Sequence, residues 1–358
     1  MNIKQIAQLV VVGHDFSQYR VKAVHKNELT LLSYTHEAQW ANEWTDIEQL
    51  CRGLIVNNQT GDIVARPFKK FFNYGQEYGS SIAVPDENDV LDNVFEKMDG
   101  SLIIGYKYNG EMNFATRGSF DSDQAIWAKN YFDEYFYSDE MDSDYTYLFE
   151  GIYPDNRIVC DYGSKESLVL LAIISTQTGQ ELPWVSVASF ADYMGFDLPT
   201  VYNIHSPQEA LQVASKLSGV KSEGFVLRYK SGERFKIKGD DYIFLHRIIS
   251  NISKKNVFEM WRTNESLPNI PDEFIVQIEN WYDEFNIVKQ DIYEECLIVF
   301  NDSPKETKRD FALAVKSHKY SSILFAMWDD NSQLIVKTLN EPNNESDDDW
   351  MKDSIFQE

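Results

Sequence analysis

Lys97-Met98-Asp99-Gly100-Ser101-Leu102-Ile103-Ile104-Gly105-Tyr106-Lys107-Tyr108-Asn109-Gly110, running on to Arg117, is the stretch on which the reading of this chain turns. Residues 102–108 are apolar and β-prone. Asn109-Gly110 is the dipeptide that closes two-residue hairpins, because both central positions need positive φ. The spacing predicts a hairpin whose second strand runs over residues 111–117. Lys97 then stands just before a rigid pair of strands, a better mount for a reacting amine than a free loop. Taken alone, K-x-D-G fits a surface turn bent at Asp99-Gly100 equally well. A lysine that attacks phosphorus must first lose its proton, which costs about 4–5 kcal/mol at pH 7 for an unperturbed amine. A site that uses it must desolvate the amine or crowd it with cations.

Outward from this hairpin, one pattern repeats from about residue 50 to 240: apolar run, turn containing glycine, apolar run. Residues 53–57 and 62–66 flank Asn58-Gln59-Thr60-Gly61. Residues 168–175 form a continuous apolar run, as expected of a strand buried on both faces. Residues 224–229 and 234–238 flank Lys230-Ser231-Gly232-Glu233. Such alternation is the mark of antiparallel sheets. Helices are predicted over 124–137 and 187–194, with another starting at Ser206-Pro207 as N-cap and first helical residue. After about residue 241 the period changes. Phe274, Ile278, Trp281, Phe285 and Val288 recur at helical spacing after Pro271-Asp272, and Pro304 is expected to open a further helix carrying Phe311, Leu313, Ala314 and Val315. The chain therefore reads as α+β. An antiparallel-sheet catalytic domain over 1–243 is followed by a smaller all-helical domain over 244–340 and an acidic tail, 341–358, expected to be disordered.

At 358 residues and 43% hydrophobic content the chain can build a sizeable core. Its net charge of −24 argues against indiscriminate adhesion to nucleic acid. The charge is uneven, however. Arg228, Lys230, Arg234, Lys236, Lys238, Arg247, Lys254 and Lys255 face only Glu233, Asp240 and Asp241 over the same span. A basic site inside an acidic shell would bind a phosphate-rich ligand locally, although a solvated basic face gives the same count. The first twelve residues lack a secretory leader, and no apolar run approaches the roughly 18–20 residues of a membrane span. Cys51, Cys160 and Cys296 are too far apart for a metal site and read as reduced thiols of a cytoplasmic protein. The histidines are scattered and form no ligand pair.

Several charged residues fall beside glycines where strand ends are expected. These are Arg52-Gly53, Arg117-Gly118-Ser119, Glu150-Gly151 and Glu223-Gly224, together with the phrase Arg66-Pro67-Phe68-Lys69-Lys70-Phe71-Phe72-Asn73. Lys236-Ile237-Lys238 alternates, so both ammonium groups point to one face of a strand. An anion between them would explain the pairing; lysines on an edge strand also deter aggregation.

Taken in order, these motifs resemble the covalent nucleotidyltransferase superfamily of ATP-dependent ligases and capping enzymes. Within it, the likeness is to the phage-type RNA ligases of the RNA ligase 1 group, over about residues 45–250. Pro154-Asp155-Asn156-Arg157-Ile158-Val159 also resembles that group. The resemblance implies an ATP-grasp-like ligase domain and a three-step reaction. Lys97 attacks ATP and forms a lysyl–AMP, AMP passes to an RNA 5′-phosphate, and a 3′-hydroxyl then expels it. It further implies that Lys236 and Lys238 hold the α-phosphate and depress the pKa of Lys97. Arg52 and Lys70 would face the pyrophosphate or RNA phosphate, and Arg117, where the phage ligases carry lysine, would contact phosphate. Lys70 is preferred over Lys69 because it directly precedes Phe71-Phe72-Asn73. Glu150 would accept from the ribose hydroxyls and Glu223 would bind Mg2+. Val226, rather than Phe225, would cover the adenine, and Phe72 is a candidate for shaping the site. The expected partner is RNA with 5′-phosphate and 3′-hydroxyl ends, cleaved tRNA included, bound by a monomer. Lys254, Lys255 and Arg262 would offer phosphate contacts in the helical domain. The rival readings are an ATP-dependent DNA ligase and a catalytically silent RNA-end-binding protein. A DNA ligase normally adds an oligonucleotide-binding barrel where this chain turns helical. A silent protein would not need the intact lysines and glutamates.

Overall fold

The computed structural model describes residues 1–41, 43–251, 254–263, 272–332 and 335. Strand Ser101–Tyr108 pairs antiparallel with Glu111–Ala115 through Asn109 and Gly110, whose φ values of +52° and +85° are those the tight hairpin demands. Tyr145–Ile152 pairs on the other side of Ser101–Tyr108, and Ser167–Ser175 completes a four-stranded antiparallel sheet. That last strand is covered on both faces. Leu168, Leu170 and Ile173 join a core with Phe132 and Phe149, while Ala172 and Ile174 join another with Ile55, Ile104 and Leu148.

A second four-stranded sheet runs Val21–Lys26, Leu29–Tyr34, Arg52–Asn57 and Ile63–Ala65 in that order. Its first two strands and the N-terminal helix Ile3–Val11 lie upstream of the repeating pattern read from the sequence. The helix is fixed by a capping box between Asn2 and Gln5 and sets Ile3, Ile6 and Val10 against Leu32, Leu54 and Val56. The two sheets meet through Leu29, Leu31 and Ile55 on one side and Ile104 and Leu148 on the other.

A third sheet has the strand order Val201–Tyr202, Leu91–Glu96, Gly224–Tyr229, Arg234–Lys238 and Phe72–Asn73, antiparallel except for its final pair. Leu91–Glu96, also missing from the sequence reading, has decisive consequences. It ends at Glu96 in the third sheet, and the next strand starts at Ser101 in the first. Lys97 therefore sits where the backbone crosses from one sheet to the other. Helices Asp123–Tyr135, Trp184–Met194 and Pro207–Ala214 accompany the sheets, the last capped by the Ser206 hydroxyl, which accepts the Glu209 N–H.

The chain divides into two compact units, Met1–His246 and Arg247–Glu358. The described part of the second is helical: Lys254–Thr263, Asp272–Asp302, Lys308–Val315 and Ser321–Trp328. Its core holds Phe258, Phe285, Phe311, Ile323 and Leu324, with Trp281 and Val288 packed against it. The side chains of Phe274 and Ile278, and the tail 341–358, lie outside the described residues. Pro304 does not open a helix. Thr307 does, because its hydroxyl accepts the Asp310 N–H and the helix starts at Lys308. Among the described residues no helix is long and apolar enough to cross a membrane, and the three cysteines are free and buried.

Candidate active site

The loop 97–100 is held by backbone bonds from both sheets. The Lys97 N–H donates to the Gly224 carbonyl at 2.9 Å, and the Gly100 N–H donates to Glu150 Oε1 at 3.1 Å. Two glycines make this approach possible. A Cβ on Gly100 would lie 2.5 Å from the Gly151 carbonyl oxygen, and one on Gly224, whose φ is +138°, 2.1 Å from that of Ile237. Asp99, only 3% exposed, anchors the loop from below. Its Oδ2 accepts the N–H groups of Val159 and Cys160, both at 2.8 Å, and its Oδ1 accepts the Tyr242 hydroxyl at 2.7 Å. The Ser101 hydroxyl donates to Asn156 Oδ1 at 2.9 Å, which ties the same loop to the 154–159 phrase.

The Lys97 ammonium lies 2.5 Å from Glu223 Oε2, and Glu223 Oε1 lies 2.8 Å from the Lys238 ammonium. A carboxylate that is 2% exposed thus binds two lysines. A cavity of about 240 Å³ opens beside them, lined by Arg52, Phe71, Lys97, Glu150, Val226 and Lys236 among others. Val226 faces this cavity, whereas Phe225 is buried in the core against Tyr202. Lys238 goes to Glu223, while Lys236 lies 5.0 Å from the Phe71 ring centroid on the cavity wall.

Electrostatics correct one expectation from the sequence. Burial alone would drive Lys97 toward neutrality, but the carboxylates of Glu223 and Glu150 outweigh it, so its pKa is raised. Lys236, by contrast, is a depressed amine. Burial, then Lys70, Lys97, Arg52 and Lys238, hold it well below the ordinary lysine value. Glu150 responds chiefly to burial. Lys97 opposes that effect and Glu223 adds to it, leaving the carboxyl at about 7.

Arg52, Lys70 and Arg117 form a cationic bank around Tyr34. The Arg117 guanidinium is 4.3 Å from the Tyr34 ring centroid, and Lys70 is 5.9 Å from it, 5.1 Å from Trp44 and 5.3 Å from Phe72. Burial and the repulsion of Arg52, Arg117 and Lys238 push Lys70 down to about 8. Arg52 Nη1 is buried without a hydrogen-bond partner among the described residues. Lys69 turns elsewhere, to Glu233 at 3.4 Å. Phe72 stacks on Tyr78 with centroids 4.2 Å apart, supporting Lys70 rather than lining the cavity. Tyr34, Trp44 and Tyr242 carried no signal in the sequence, because their partners are far away along the chain. In the helical unit, Lys254 pairs with Glu284 at 2.6 Å and Arg262 lies 3.8 Å from Glu259, so both are engaged within the protein.

Among the described residues no three His, Cys, Asp or Glu side chains converge as a metal cage. Magnesium, however, usually takes one or two carboxylates plus water and substrate phosphates. Glu223, with Glu150 close enough to influence it, fits that pattern. A lysine in the crossing between two sheets, the buried Glu223, the half-buried Glu150 and a bank of cations define a nucleotidyltransferase-type site. The RNA ligase family model matches residues 50–251, and the chain belongs to that family, in its phage-type branch. A relative from Autographa californica nuclear polyhedrosis virus, whose name assigns it both polynucleotide kinase and RNA ligase, is 32% identical over 64% of this chain and 35% of its own length. The chain thus spans about a third of that relative. The RNA ligase of Rhodothermus phage RM378 is 23% identical over 80% of this chain and 83% of its own. Among solved structures, an archaeal ATP-dependent RNA ligase is 15% identical with a TM-score of 0.43, covering 78% of this chain and 73% of that one.

Proposed function

We propose that this chain is an ATP-dependent RNA ligase that joins 5′-phosphate and 3′-hydroxyl ends through a lysyl–AMP at Lys97. The observation that carries the reading is the Lys97–Glu223–Lys238 arrangement beside a cavity walled by Arg52, Glu150, Val226 and Lys236. In the first step the Lys97 Nζ–Pα bond forms, the bond from Pα to pyrophosphate breaks, and the amine gives up a proton. Lys236, on the cavity wall, would meet the α-phosphate, and the bank of Arg52, Lys70 and Arg117 would meet the leaving pyrophosphate or an RNA phosphate. Val226 would cover the base and Glu150 would accept from the ribose hydroxyls; both line the cavity. Glu223, with Glu150 nearby, would hold magnesium, which when bound supplies charge neutralisation on the phosphates. The helical unit would grip the RNA, with cleaved tRNA among the candidate substrates.

Incubation with α-labelled ATP and magnesium should label the chain covalently, and labelled GTP should not. Offering 5′-phosphorylated RNA and DNA in parallel should give joined RNA in preference; equal joining of DNA would favour a DNA ligase, and absence of label a silent RNA-binding protein. The raised pKa of Lys97 sets the pH dependence. Only the neutral amine attacks, so single-turnover labelling at saturating ATP should accelerate about tenfold per pH unit from about pH 6 to about pH 8. Loss of the Glu223 contact leaves burial dominant, and burial favours the neutral form. Glu223→Gln should therefore move the rising limb to lower pH even as it slows the reaction. A profile that stays put in this variant would contradict the assigned cause.

A further inference from the structure

A second cavity, of about 380 Å³, lies across a wall of Phe68, Phe71 and Arg234, residues that line both it and the nucleotide cavity. Its size is within the range of small-ligand sites. Among its charged lining residues cations outnumber acids, five to two, although the chain as a whole carries −24. Some are already neutralised. Glu181 takes Arg234 and also Arg228 at 3.3 Å, Asp92 takes Arg228 at 2.5 Å, and Glu233 takes Lys69.

Arg66 and Lys230 are different. The Arg66 Nη1 donates to the Gln177 carbonyl at 3.3 Å, and no carboxylate reaches its guanidinium among the described residues. The group lies flat over Gly179, where a Cβ would come within 2.3 Å of Cζ. Gly179, at φ +75°, is thus shaped to receive a guanidinium that has no counter-charge. Burial lowers the pKa of Arg66, the sign of a cation drawn from water without compensation. The Lys230 ammonium makes no hydrogen bond or ion pair among the described residues. An oxyanion between a fixed guanidinium and a free ammonium would complete both.

We propose that this cavity is a phosphate-binding subsite, distinct from the nucleotide pocket, in which Arg66 and Lys230 hold a phosphate group. The inference rests on the RNA-ligase reading only in naming an RNA strand as one source of that phosphate; inorganic phosphate is the other. Lys230→Glu and Arg66→Gln test it in the full chain, the first at an exposed position that should not disturb folding. Two probes are used: a 5′-phosphorylated, fluorescein-labelled oligoribonucleotide read by anisotropy, and inorganic phosphate read by thermal shift. Both variants should take up label from ATP as the wild type does. If the strand is the source, the variants should bind the oligoribonucleotide about tenfold more weakly, with a salt slope smaller by about 0.7. If free phosphate is the source, the stabilisation it gives should shrink in both variants. Unchanged response of both variants to both probes, with normal labelling, would overturn the subsite. A wild type that takes no label would instead tell against the ligase reading, and the phosphate titration would still decide this one.

Discussion

Lys97→Ala abolishes covalent labelling by α-labelled ATP, a fall of at least about a thousandfold, while Lys4→Ala on the surface labels like the wild type. The alanine has no atom to bond phosphorus, and other cavity cations can stabilise charge but cannot replace the missing N–P bond. Lys97→Arg should be equally silent, because a guanidinium does not deprotonate in a protein. The fold should survive the change. Glu223 keeps Lys238 at 2.8 Å, so the buried carboxylate is not left without a cation. Circular dichroism and a melting curve on the same sample separate loss of the nucleophile from loss of structure. Labelling that persists in a folded Lys97→Ala chain would remove the central assignment.

Asp99→Ala has the largest expected effect on stability. The carboxylate is buried and accepts from two backbone N–H groups and one hydroxyl, on segments 60 and 143 residues away. Its removal leaves three donors without an acceptor in a place water hardly reaches. At about 1–3 kcal/mol for each unsatisfied group, a loss of roughly 3–9 kcal/mol is expected. Asparagine is a poor substitute, since its NH2 group would face donors where an acceptor is needed. Urea unfolding measures the loss directly. A change below about 1 kcal/mol would mean that the 159–160 backbone and Tyr242 find other acceptors.

Both predictions turn on what the sequence could and could not disclose. The hairpin was legible because Asn109-Gly110 announces its own backbone geometry, and the helix at Ser206-Pro207 because its cap is written locally. The strand Leu91–Glu96 was not. Its partner, Gly224–Tyr229, lies more than 120 residues away, and its alternation is broken by Asp92 and Asn93. The same distance hid the charge state of Lys97. Motif order could bring Lys97, Lys236 and Lys238 to one region, but it could not show that Glu223 would stand between two of the three. The aromatic surround of Lys70 was invisible for a related reason: Tyr34 and Trp44 precede the motifs and meet the lysine only through the fold.

The carboxylate that grips Lys97 also bears on how this chain survives among cellular metabolites. An ε-amine kept cationic is sluggish toward aldehydes, acyl phosphates and other stray electrophiles that consume accessible lysines. In its proposed role as nucleophile, Lys97 would hold its proton until the surroundings of Glu223 change, which would keep a hazardous functional group in a passive form. In that role the amine would stay capped while its proper target is not at hand.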